Sequence, residues 1–394
     1  MTTSTPQNHI ESFIEKIDMT IAEFKEVVKS LISGNIDDVE EKIDGQNLTF
    51  TVRNGLIETF SKGPTWKRIS SGGKTKSDIE LIYSDRKNVK EAFLLAHNCL
   101  QFLYDSHPEV CDKLFQNGKV VISSELVVER SKNLISYEES CIYFVGPFAM
   151  DPLLLGGYDI DAYKEFVSFA LKSQTDVCFK MIPKVKLFSF GKSDADCLLK
   201  KFDDVILTSG ANPDGNLGDI FVGLTKNLLL KEGMNEDVVL KVAKRLAKKD
   251  KKAFSHNEAK AVSIDFWNKI QKLEESKFLE QALIPFENVL IELSQKVLKN
   301  ISLENSSESL QCLHNFVSNV RNAYEENKIS ATEKDLKEIE VLLLRIGDEK
   351  RLETPTEGIV FKWRGDLLKL TGLFSSINKL HGLFTYGKIP ASIL

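Results

Sequence analysis

Apolar residues recur every three to four positions through the first part of the chain. This spacing places them on one face of a helix, and it predicts a helix over 9–34. Gly34 is the predicted end of that helix, because glycine is the usual residue just past a helix C-terminus. The apolar positions are Ile10, Phe13, Ile14, Ile17, Ile21, Phe24, Val27, Val28, Leu31 and Ile32.

The pattern then changes to short runs in which apolar and polar residues alternate. Two such runs, 48–52 and 56–60, flank Arg53-Asn-Gly55. Asn-Gly between alternating runs is typical of a tight β-hairpin. A lysine at position 42 is therefore expected on, or just before, the first strand of a hairpin.

The remaining pattern predicts strands near both ends of the chain and helices between them. A loop over 63–77 and a helix over 89–105 are predicted first, followed by strands at 119–128 and 140–145. Long amphipathic segments, such as 237–252 and 278–298, fill most of the next part. Strand character returns at 357–362 and 367–370, and 373–380 is predicted to be a helix that packs on the core.

This pattern predicts an α+β protein with a β-rich core that is interrupted by a large helical insertion. The predicted division has an N-terminal helix and the first part of the core, then the insertion, then the rest of the core with a C-terminal helix. In residue numbers these parts are 1–150, 151–345 and 346–394.

Composition places the chain among globular proteins with a sizeable core. It has 394 residues, of which 42% are hydrophobic and 28% charged. No apolar run is long enough for a transmembrane helix, and the N-terminus lacks the basic and apolar regions of a secretory signal. The six cysteines are scattered without metal-ligand spacing, which indicates reduced thiols in the cytoplasm and no structural zinc.

Charge bears on which partners the chain can bind. The net charge is −5, so any nucleic-acid binding must come from a local basic surface. One basic stretch, over 241–252, has near-helical spacing. It is either a surface that follows a phosphate backbone or the solvated face of a helix.

Two widely separated motifs carry the candidate chemistry. The first is Lys42-Ile-Asp-Gly45, and the second is Glu357-Gly-Ile-Val360 followed by Lys369. A lysine amine can attack the α-phosphate of a nucleoside triphosphate once it has lost its proton, and desolvation, nearby cations and a metal lower the pKa of such an amine. The reaction also needs positive charge around the phosphate and a metal that orients the leaving pyrophosphate.

These motifs resemble those of the covalent nucleotidyltransferase superfamily of DNA ligases, RNA ligases and capping enzymes. Glu41-Lys-Ile-Asp-Gly-Gln-Asn47 is most similar to the RNA ligases of large tailed phages and of RNA editing, which show Glu-Lys-x-x-Gly-x-Asn. DNA ligases usually have arginine where Asn47 stands. The resemblance implies that Lys42 is the nucleophile.

Three further segments are similar to the intermediate motifs of the family. Ser61-Lys-Gly63 implies that Lys62 contacts the nucleotide or its phosphates, and Ser124-Glu-Leu-Val127 implies that Glu125 binds the ribose. Ile142-Tyr-Phe-Val145 supplies the aromatic residue that stacks on the purine. Tyr143 and Phe144 point to opposite faces of a strand, so only one of them can stack there.

The C-terminal block is similar to the fourth and fifth motifs, with some departures. The fifth motif usually carries Lys-x-Lys, whereas Lys369 is followed by Thr371, and Lys362 is the residue that could compensate. The third motif lacks the Asp-Gly that often precedes its glutamate. Too few residues follow Lys369 for a C-terminal OB domain, and its absence favours RNA ligases.

The resemblance implies an ATP-grasp-like ligase adenylation core and an ATP-dependent RNA ligase that forms a lysyl-AMP intermediate. It joins 5′-phosphate and 3′-hydroxyl ends and uses ATP with Mg²⁺ or Mn²⁺. The implied catalytic residues are Lys42, Glu357 and Lys369, and the implied metal-binding residues are Glu357 and Asn47. The implied nucleotide-binding residues are Glu41, Asn47, Lys62, Glu125, Lys362, and Tyr143 or Phe144.

Several alternatives remain open. A DNA ligase or a capping-type guanylyltransferase would use the same covalent step. A non-catalytic phage protein would keep only the fold, and Lys42-x-Asp-Gly would then be a surface turn. The expected partner is nucleic acid, with RNA favoured and no membrane, and the insertion over 151–345 would contact nucleic acid or a protein. A viral origin would place the chain in the host cytoplasm.

Overall fold

A computed structural model describes most of the chain as a mixed α+β protein. The chain divides into two compact units, one containing Lys42–Pro183 and the other containing Glu11–Glu41 with Lys184–Leu394. Each unit has one sheet, and neither sheet closes into a barrel within the described ranges. The structure describes residues 10–61, 65–129, 135, 137, 139–151, 157–248, 275–299, 307–353, 356–385 and 389.

The first unit is built on a five-stranded sheet. The strands occur in the order β4-β3-β5-β6-β7, and every neighbouring pair is antiparallel except β6 and β7, which are parallel. The strands are β3 (Gln46–Arg53), β4 (Leu56–Phe60), β5 (Val120–Val127), β6 (Cys141–Ala149) and β7 (Cys178–Met181).

The predicted hairpin is confirmed as β3 and β4. Asn54 and Gly55 join the two strands with positive φ angles of 51° and 77°. Two successive residues of positive φ are the mark of the tight turn that matches strand twist, and Asn-Gly is the pair that adopts it most readily. Lys42 lies just before β3, in the irregular stretch that ends at Gly45.

Helices cover one face of this sheet because alternate strand positions are apolar. Leu48 and Phe50 of β3 and Ile142 and Phe144 of β6 are fully buried in one cluster with residues of the helices. The helices that contribute to this cluster are α3 (Lys76–Ile82), α4 (Lys87–Ser106), α5 (Pro108–Phe115) and α6 (Ile160–Lys172). The short helix α2 (Trp66–Ser70) packs through Ile69 in a separate cluster with Phe60 and Val121.

The loop predicted over 63–77 is correct only in part, because residues 66–70 and 76–77 are helical while 71–75 connect the two helices. Residues 62–64 lie outside the described ranges, but Thr65 begins α2 and Thr75 begins α3. The side chain of Thr65 accepts a hydrogen bond from the backbone of Arg68, and Thr75 forms a capping box with Asp78. These caps stabilise helices too short for their apolar periodicity to be read from the sequence.

The second unit contains a four-stranded sheet whose strands come from both ends of the sequence. Their order is β1-β9-β8-β2, with β1 parallel to β9 and the other pairs antiparallel. The strands are β1 (Glu11–Ser12), β2 (Glu40–Glu41), β8 (Ile359–Trp363) and β9 (Asp366–Leu370).

Helices make up the rest of the second unit. Ile359, Phe361 and Leu368 of the sheet belong to one core cluster with apolar residues of the helices. A 3₁₀ helix covers Glu349–Arg351. The α-helices are α1 (Ile21–Ser33), α7 (Lys192–Ser209), α8 (Leu217–Lys231), α9 (Glu236–Lys248), α10 (Glu275–Ala282), α11 (Ile284–Leu298), α12 (Ser307–Glu325), α13 (Glu333–Ile346) and α14 (Phe374–Thr385).

The predicted N-terminal helix is correct at its end but not at its start. Gly34 caps α1 with a φ of 70°, whereas the helix begins only after Thr20. Thr20 and Glu23 form a capping box, which fixes the start of a helix. The residues before it include β1, and Phe13 is nevertheless buried in the core, so its apolar character is explained without a helix.

The two units divide the chain differently from the predicted domains. The first unit extends to Pro183 because α6 and β7 pack with the sheet, so no boundary falls at residue 150. The strands after residue 346 cluster with the helices that precede them and with β1 and β2.

The basic stretch over 241–252 begins on α9, and its residues after Lys248 lie outside the described ranges. Lys241 and Lys244 are exposed, and the opposite face of α9, including Val242 and Leu246, is buried. In the part that is described, the stretch is therefore the exposed face of an amphipathic helix.

Candidate active site

The Lys42–Gly45 loop is held in place by its own residues and by the segment before β6. The backbone N–H of Asp44 donates to the hydroxyl of Tyr137 at 3.0 Å, and its carboxylate accepts from the backbone of Ile135 at 3.3 Å. Ile43 is buried in a small cluster with Tyr143. Lys42 is half-buried at the start of this anchored loop.

Gly45 brings this loop against Glu125. A Cβ atom at position 45 would lie 3.0 Å from the Cβ of Glu125 and 3.2 Å from its carboxylate oxygen Oε2. Only a residue without a side chain fits at that distance unless its neighbours shift. The glycine of Asp44-Gly45 thus has a physical role, because its missing side chain lets the loop that carries Lys42 pack on Glu125.

Four residues form a line across the sheet next to this loop, and we call it the polar row. Its members are partners in successive strand ladders, from Asn47 to Glu125, from Glu125 to Tyr143, and from Tyr143 to Lys180. Residues that are directly opposite each other in a sheet point to the same face. The polar row therefore lies on the face opposite to the helix-covered core of this unit.

Two buried oxygen atoms on this face have no hydrogen-bond partner within the described part of the chain. They are Oδ1 of Asn47 and Oγ1 of Thr49, two residues apart on β3 and therefore on the same face. A buried polar atom without a partner costs free energy and calls for an explanation, such as a bound ligand. Thr49 was not among the predicted site residues, because the sequence alone does not distinguish it from other threonines in a strand.

The two candidate stacking residues have different surroundings. Phe144 is fully buried, and its ring lies 5.7 Å from that of Phe179, measured between ring centroids. It packs in the hydrophobic core, so it has no surface for a nucleotide, and the prediction that included Phe144 is corrected. Tyr143 lies in the polar row on the other face of the sheet and is also buried, with 6% exposed, in the cluster that contains Ile43.

Lys180 ends the polar row as a fixed positive charge. Its Nζ lies 2.7 Å from Oε1 of Glu139, and the thiol of Cys178 donates to Oε2 of the same carboxylate at 3.0 Å. The hydrogen bond to Glu139 raises the pKa of Lys180 in spite of its burial. The hydrogen bonds from Cys178 and Lys180 lower the pKa of Glu139. Sequence reasoning missed Lys180, because β7 is a four-residue strand inside a block that reads as helical. It also missed Glu139, an exposed residue just before β6.

Glu357 stands in a tight turn of the second unit. The side chain of Thr356 accepts a hydrogen bond from the backbone N–H of Gly358 at 3.1 Å, and this bond spans Glu357. Gly358 has a φ of 136°, and a Cβ there would lie 2.2 Å from the carbonyl oxygen of Leu370. The Glu-Gly pair thus sets both the turn and the close approach of β8 to β9.

Lys369 and Lys362 share one face of the sheet of the second unit. Lys369 lies opposite Val360, and Lys362 is two residues further along β8, so both side chains point to the same side. This register is compatible with Lys362 compensating for the lysine that the fifth motif lacks. Lys369 also lies 4.0 Å from Glu15, measured from Nζ to Oε2.

Glu41 is a paired residue of the second unit. It is the ladder partner of Ile359, and its side chain is 8% exposed. Lys42 follows it directly in the sequence. Lys62 lies outside the described residues.

A metal site of the usual protein-only kind is not found among the described residues. They contain no group of three or more His, Cys, Asp or Glu side chains that could hold an ion. Mg²⁺ in nucleotide sites usually takes one or two carboxylates together with substrate phosphates and water, so such a group is not required. In the first unit, the oxygen of Asn47 that lacks a partner within the described residues has the chemistry that Mg²⁺ prefers. In the second unit, the carboxylate of Glu357 has the same oxygen chemistry.

Comparisons with protein-family models, with curated proteins and with solved structures returned no match. Among the helices that the structure describes, none is sufficiently long and apolar to span a lipid bilayer. A function for this chain must therefore be inferred from the motifs and from the arrangement of the residues around them.

Proposed function

We propose that this protein is an ATP-dependent polynucleotide ligase, with RNA the favoured substrate, and that it acts through a covalent lysyl-AMP intermediate on Lys42. The observation that carries the proposal is the packing of Gly45 on Glu125 beside the polar row. The lysine loop and the candidate ribose-binding glutamate belong to distant motifs of the sequence, and a surface turn does not require their approach.

In the proposed first step, Nζ of Lys42 attacks the α-phosphorus of ATP. A P–N bond forms, the bond from the α-phosphorus to the bridging oxygen breaks, pyrophosphate leaves, and the amine gives up a proton. Glu125 accepts hydrogen bonds from the ribose hydroxyls, and Tyr143 is the aromatic residue for the base. The cations Lys62, Lys362 and Lys369 reduce the negative charge around the phosphates.

In the proposed second and third steps, AMP passes to the nucleic acid and is then released. An oxygen of the 5′-phosphate attacks the lysyl-bound phosphorus, and the P–N bond breaks. The 3′-hydroxyl of the other end then attacks the 5′-phosphate, and AMP leaves as the new phosphodiester forms.

Glu357 and Asn47 are the proposed metal-binding residues. A bound Mg²⁺ or Mn²⁺ would neutralise charge on the triphosphate and orient the leaving pyrophosphate. The proposal assigns Glu357 a direct or water-mediated contact, and Asn47 a contact through the oxygen that lacks a partner in the described part of the chain.

A second candidate is a non-catalytic protein that retains the nucleotidyltransferase fold. One observation favours it, namely the position of Lys369 within 4.0 Å of the carboxylate of Glu15, where a ligase would need a phosphate contact. This candidate predicts that no nucleotide becomes attached to the chain.

The deciding experiment is incubation with α-labelled ATP or GTP and Mg²⁺, followed by a denaturing gel. A label from ATP that disappears in Lys42→Ala, and that persists in Lys172→Ala on the exposed side of α6, supports the ligase. A label from GTP alone would indicate a capping-type enzyme and contradict the ligase. No label from either nucleotide would leave the non-catalytic candidate.

A further inference from the structure

A short segment of the first unit, residues 65–90, has a charge unlike the rest of the chain. It contains seven Lys or Arg residues and three Asp or Glu residues, whereas the whole chain has a net charge of −5. One of its three acids, Asp78, is used in the capping box of α3. We call this stretch the basic segment, and the local basic surface that nucleic-acid binding requires in an acidic chain is available here.

Two cations of the basic segment sit on a single tyrosine. The Nζ of Lys74 lies 4.6 Å from the ring centroid of Tyr83, and the guanidinium carbon of Arg86 lies 4.8 Å from the same centroid. Lys74 also donates to the hydroxyls of Tyr83 and Ser61, the latter at 2.9 Å. Contacts with one ring and two hydroxyls fix the positions of both charges relative to each other.

The two charges are held by a tyrosine and hydroxyl groups and do not form ion pairs among the described residues. No ion pair of Lys74 or Arg86 with an acidic side chain occurs within the described ranges, although many other surface lysines of the chain have one. Burial alone would raise the pKa of Tyr83, but the hydrogen bonds with Lys74 and Ser61 and the charges of Lys74 and Arg86 outweigh it and lower that pKa. The surroundings of the phenol are thus electropositive, as expected of a site that binds an anion.

Apolar side chains lie exposed in the same segment. Trp66 is 37% exposed, Leu81 is 76% exposed and Ile82 is 48% exposed. The faces of unpaired bases stack on or pack against such side chains, and a positively charged groove with an aromatic residue is typical of proteins that bind single strands. A duplex hides its base faces, so this combination favours a single strand.

We propose that Lys74 and Arg86, held on Tyr83 within the basic segment, bind the phosphates of a single-stranded polynucleotide. The inference depends on the proposed function for the identity of the ligand and extends it, since it locates where the strand is bound outside the nucleotide site. The strand contacts both cations with its phosphodiester groups, and its bases face the exposed apolar side chains.

The test measures binding of a fluorescent 5′-phosphorylated single-stranded RNA by anisotropy, with full-length protein and without ATP. The variant is Lys74→Gln/Arg86→Gln, in which glutamine keeps a donor for Tyr83 and Ser61. The control is Lys164→Gln/Lys172→Gln, which removes two exposed charges from α6. We expect the variant, but not the control, to bind the RNA at least tenfold more weakly. Its plot of the logarithm of the binding constant against the logarithm of the salt concentration should have a slope smaller in magnitude by about 1.4, as for two lost phosphate contacts.

Three results would overturn the inference. The first is equal weakening in the variant and the control, and the second is tighter binding of a duplex of the same length than of the single strand. The third is competition by inorganic polyphosphate as strong as that by the unlabelled strand. Labelling of Lys42 by ATP is measured separately, so a variant that labels normally but does not bind RNA supports the inference, and a wild type that binds RNA without labelling contradicts only the proposed ligase.

Discussion

Glu41 and Ile359 are direct ladder partners, although they come from opposite ends of the sequence. The pairing joins the residue before Lys42 to the strand that begins just after Glu357 and Gly358. The register of this antiparallel pair is strongly specified, because a slip by one residue would move every side chain of β2 to the other face of the sheet.

Replacement of Gly45 by alanine tests the close approach to Glu125. The new Cβ would lie 3.0 Å from the Cβ of Glu125, so the lysine loop or the glutamate must shift. We expect labelling of Lys42 by ATP to fall at least tenfold, while the melting temperature changes by only a few degrees. Gly191→Ala is the matched control, because a Cβ at Gly191 has no neighbour within 4 Å. Unchanged labelling in Gly45→Ala would show that this packing has no part in the chemistry.

Replacement of Gly358 by alanine tests the turn that carries Glu357. Alanine there meets both an unfavourable φ of 136° and a carbonyl oxygen at 2.2 Å. Gly365 has a φ of 93° and no neighbour within 4 Å, so Gly365→Ala has the backbone strain alone. We expect Gly365→Ala to lower the free energy of unfolding by about 1–3 kcal/mol, and Gly358→Ala to lower it by more. Urea denaturation measures both, and equal losses would contradict the predicted collision with Leu370.

Substitution of the adjacent aromatic residues separates nucleotide binding from packing. Phe144→Ala should lower the free energy of unfolding by about 3–5 kcal/mol, because it leaves a cavity in the core. Tyr143→Leu should raise the ATP concentration for half-maximal labelling roughly tenfold, through the loss of base stacking. The milder Phe144→Leu serves as the control for labelling. A larger effect of Phe144→Leu than of Tyr143→Leu on that concentration would exclude Tyr143 as the stacking residue.

The lowered pKa of Glu139 makes the free energy of unfolding depend on pH. Its pKa is lowered in the folded protein by the hydrogen bonds from Cys178 and Lys180. A group of lowered pKa stabilises the fold above its ordinary pKa, and this stabilisation is lost as the pH falls through the folded value. We therefore expect wild-type protein to lose more stability than Glu139→Gln between about pH 5 and pH 3.

Urea denaturation at a series of pH values tests this expectation. Glu165→Gln, which changes an exposed carboxylate on α6, should retain the wild-type dependence. Parallel curves for the wild type and Glu139→Gln would show that the interaction of Glu139 with Lys180 and Cys178 does not contribute in solution.

Local signals in the sequence were sufficient for the hairpin and for the end of the first helix. Asn54, Gly55 and Gly34 adopt positive φ angles that asparagine and glycine favour, so a turn or helix end can be predicted there from these residues alone. β1 could not be predicted, because its two residues become a strand only by pairing with Leu368 and Lys369. A strand of two residues is too short to show the alternation of apolar and polar positions by which strands are predicted.

In the candidate site, too, residues within sequence motifs could be predicted, whereas residues placed there by strand pairing could not. Lys42, Glu125 and Glu357 could be proposed from motifs, and the alternation of β6 already restricted the stacking residue to Tyr143 or Phe144. Placing Phe144 in the core required knowing which face of the sheet the helices cover. The assignment of Lys180 to the polar row required the parallel pairing of β6 and β7, which the sequence does not signal.

The sheet of the second unit also constrains the order of folding. β1 pairs with β9 and β2 pairs with β8, so these pairings cannot form until residues 359–370 have been synthesised, whereas Glu40 of β2 also bridges to the much earlier Lys184. Contacts between such distant segments form slowly, because a long loop must close first. A nascent chain would therefore contain Lys42 well before the strand that follows Glu357, and the sheet of the second unit would be completed late in synthesis.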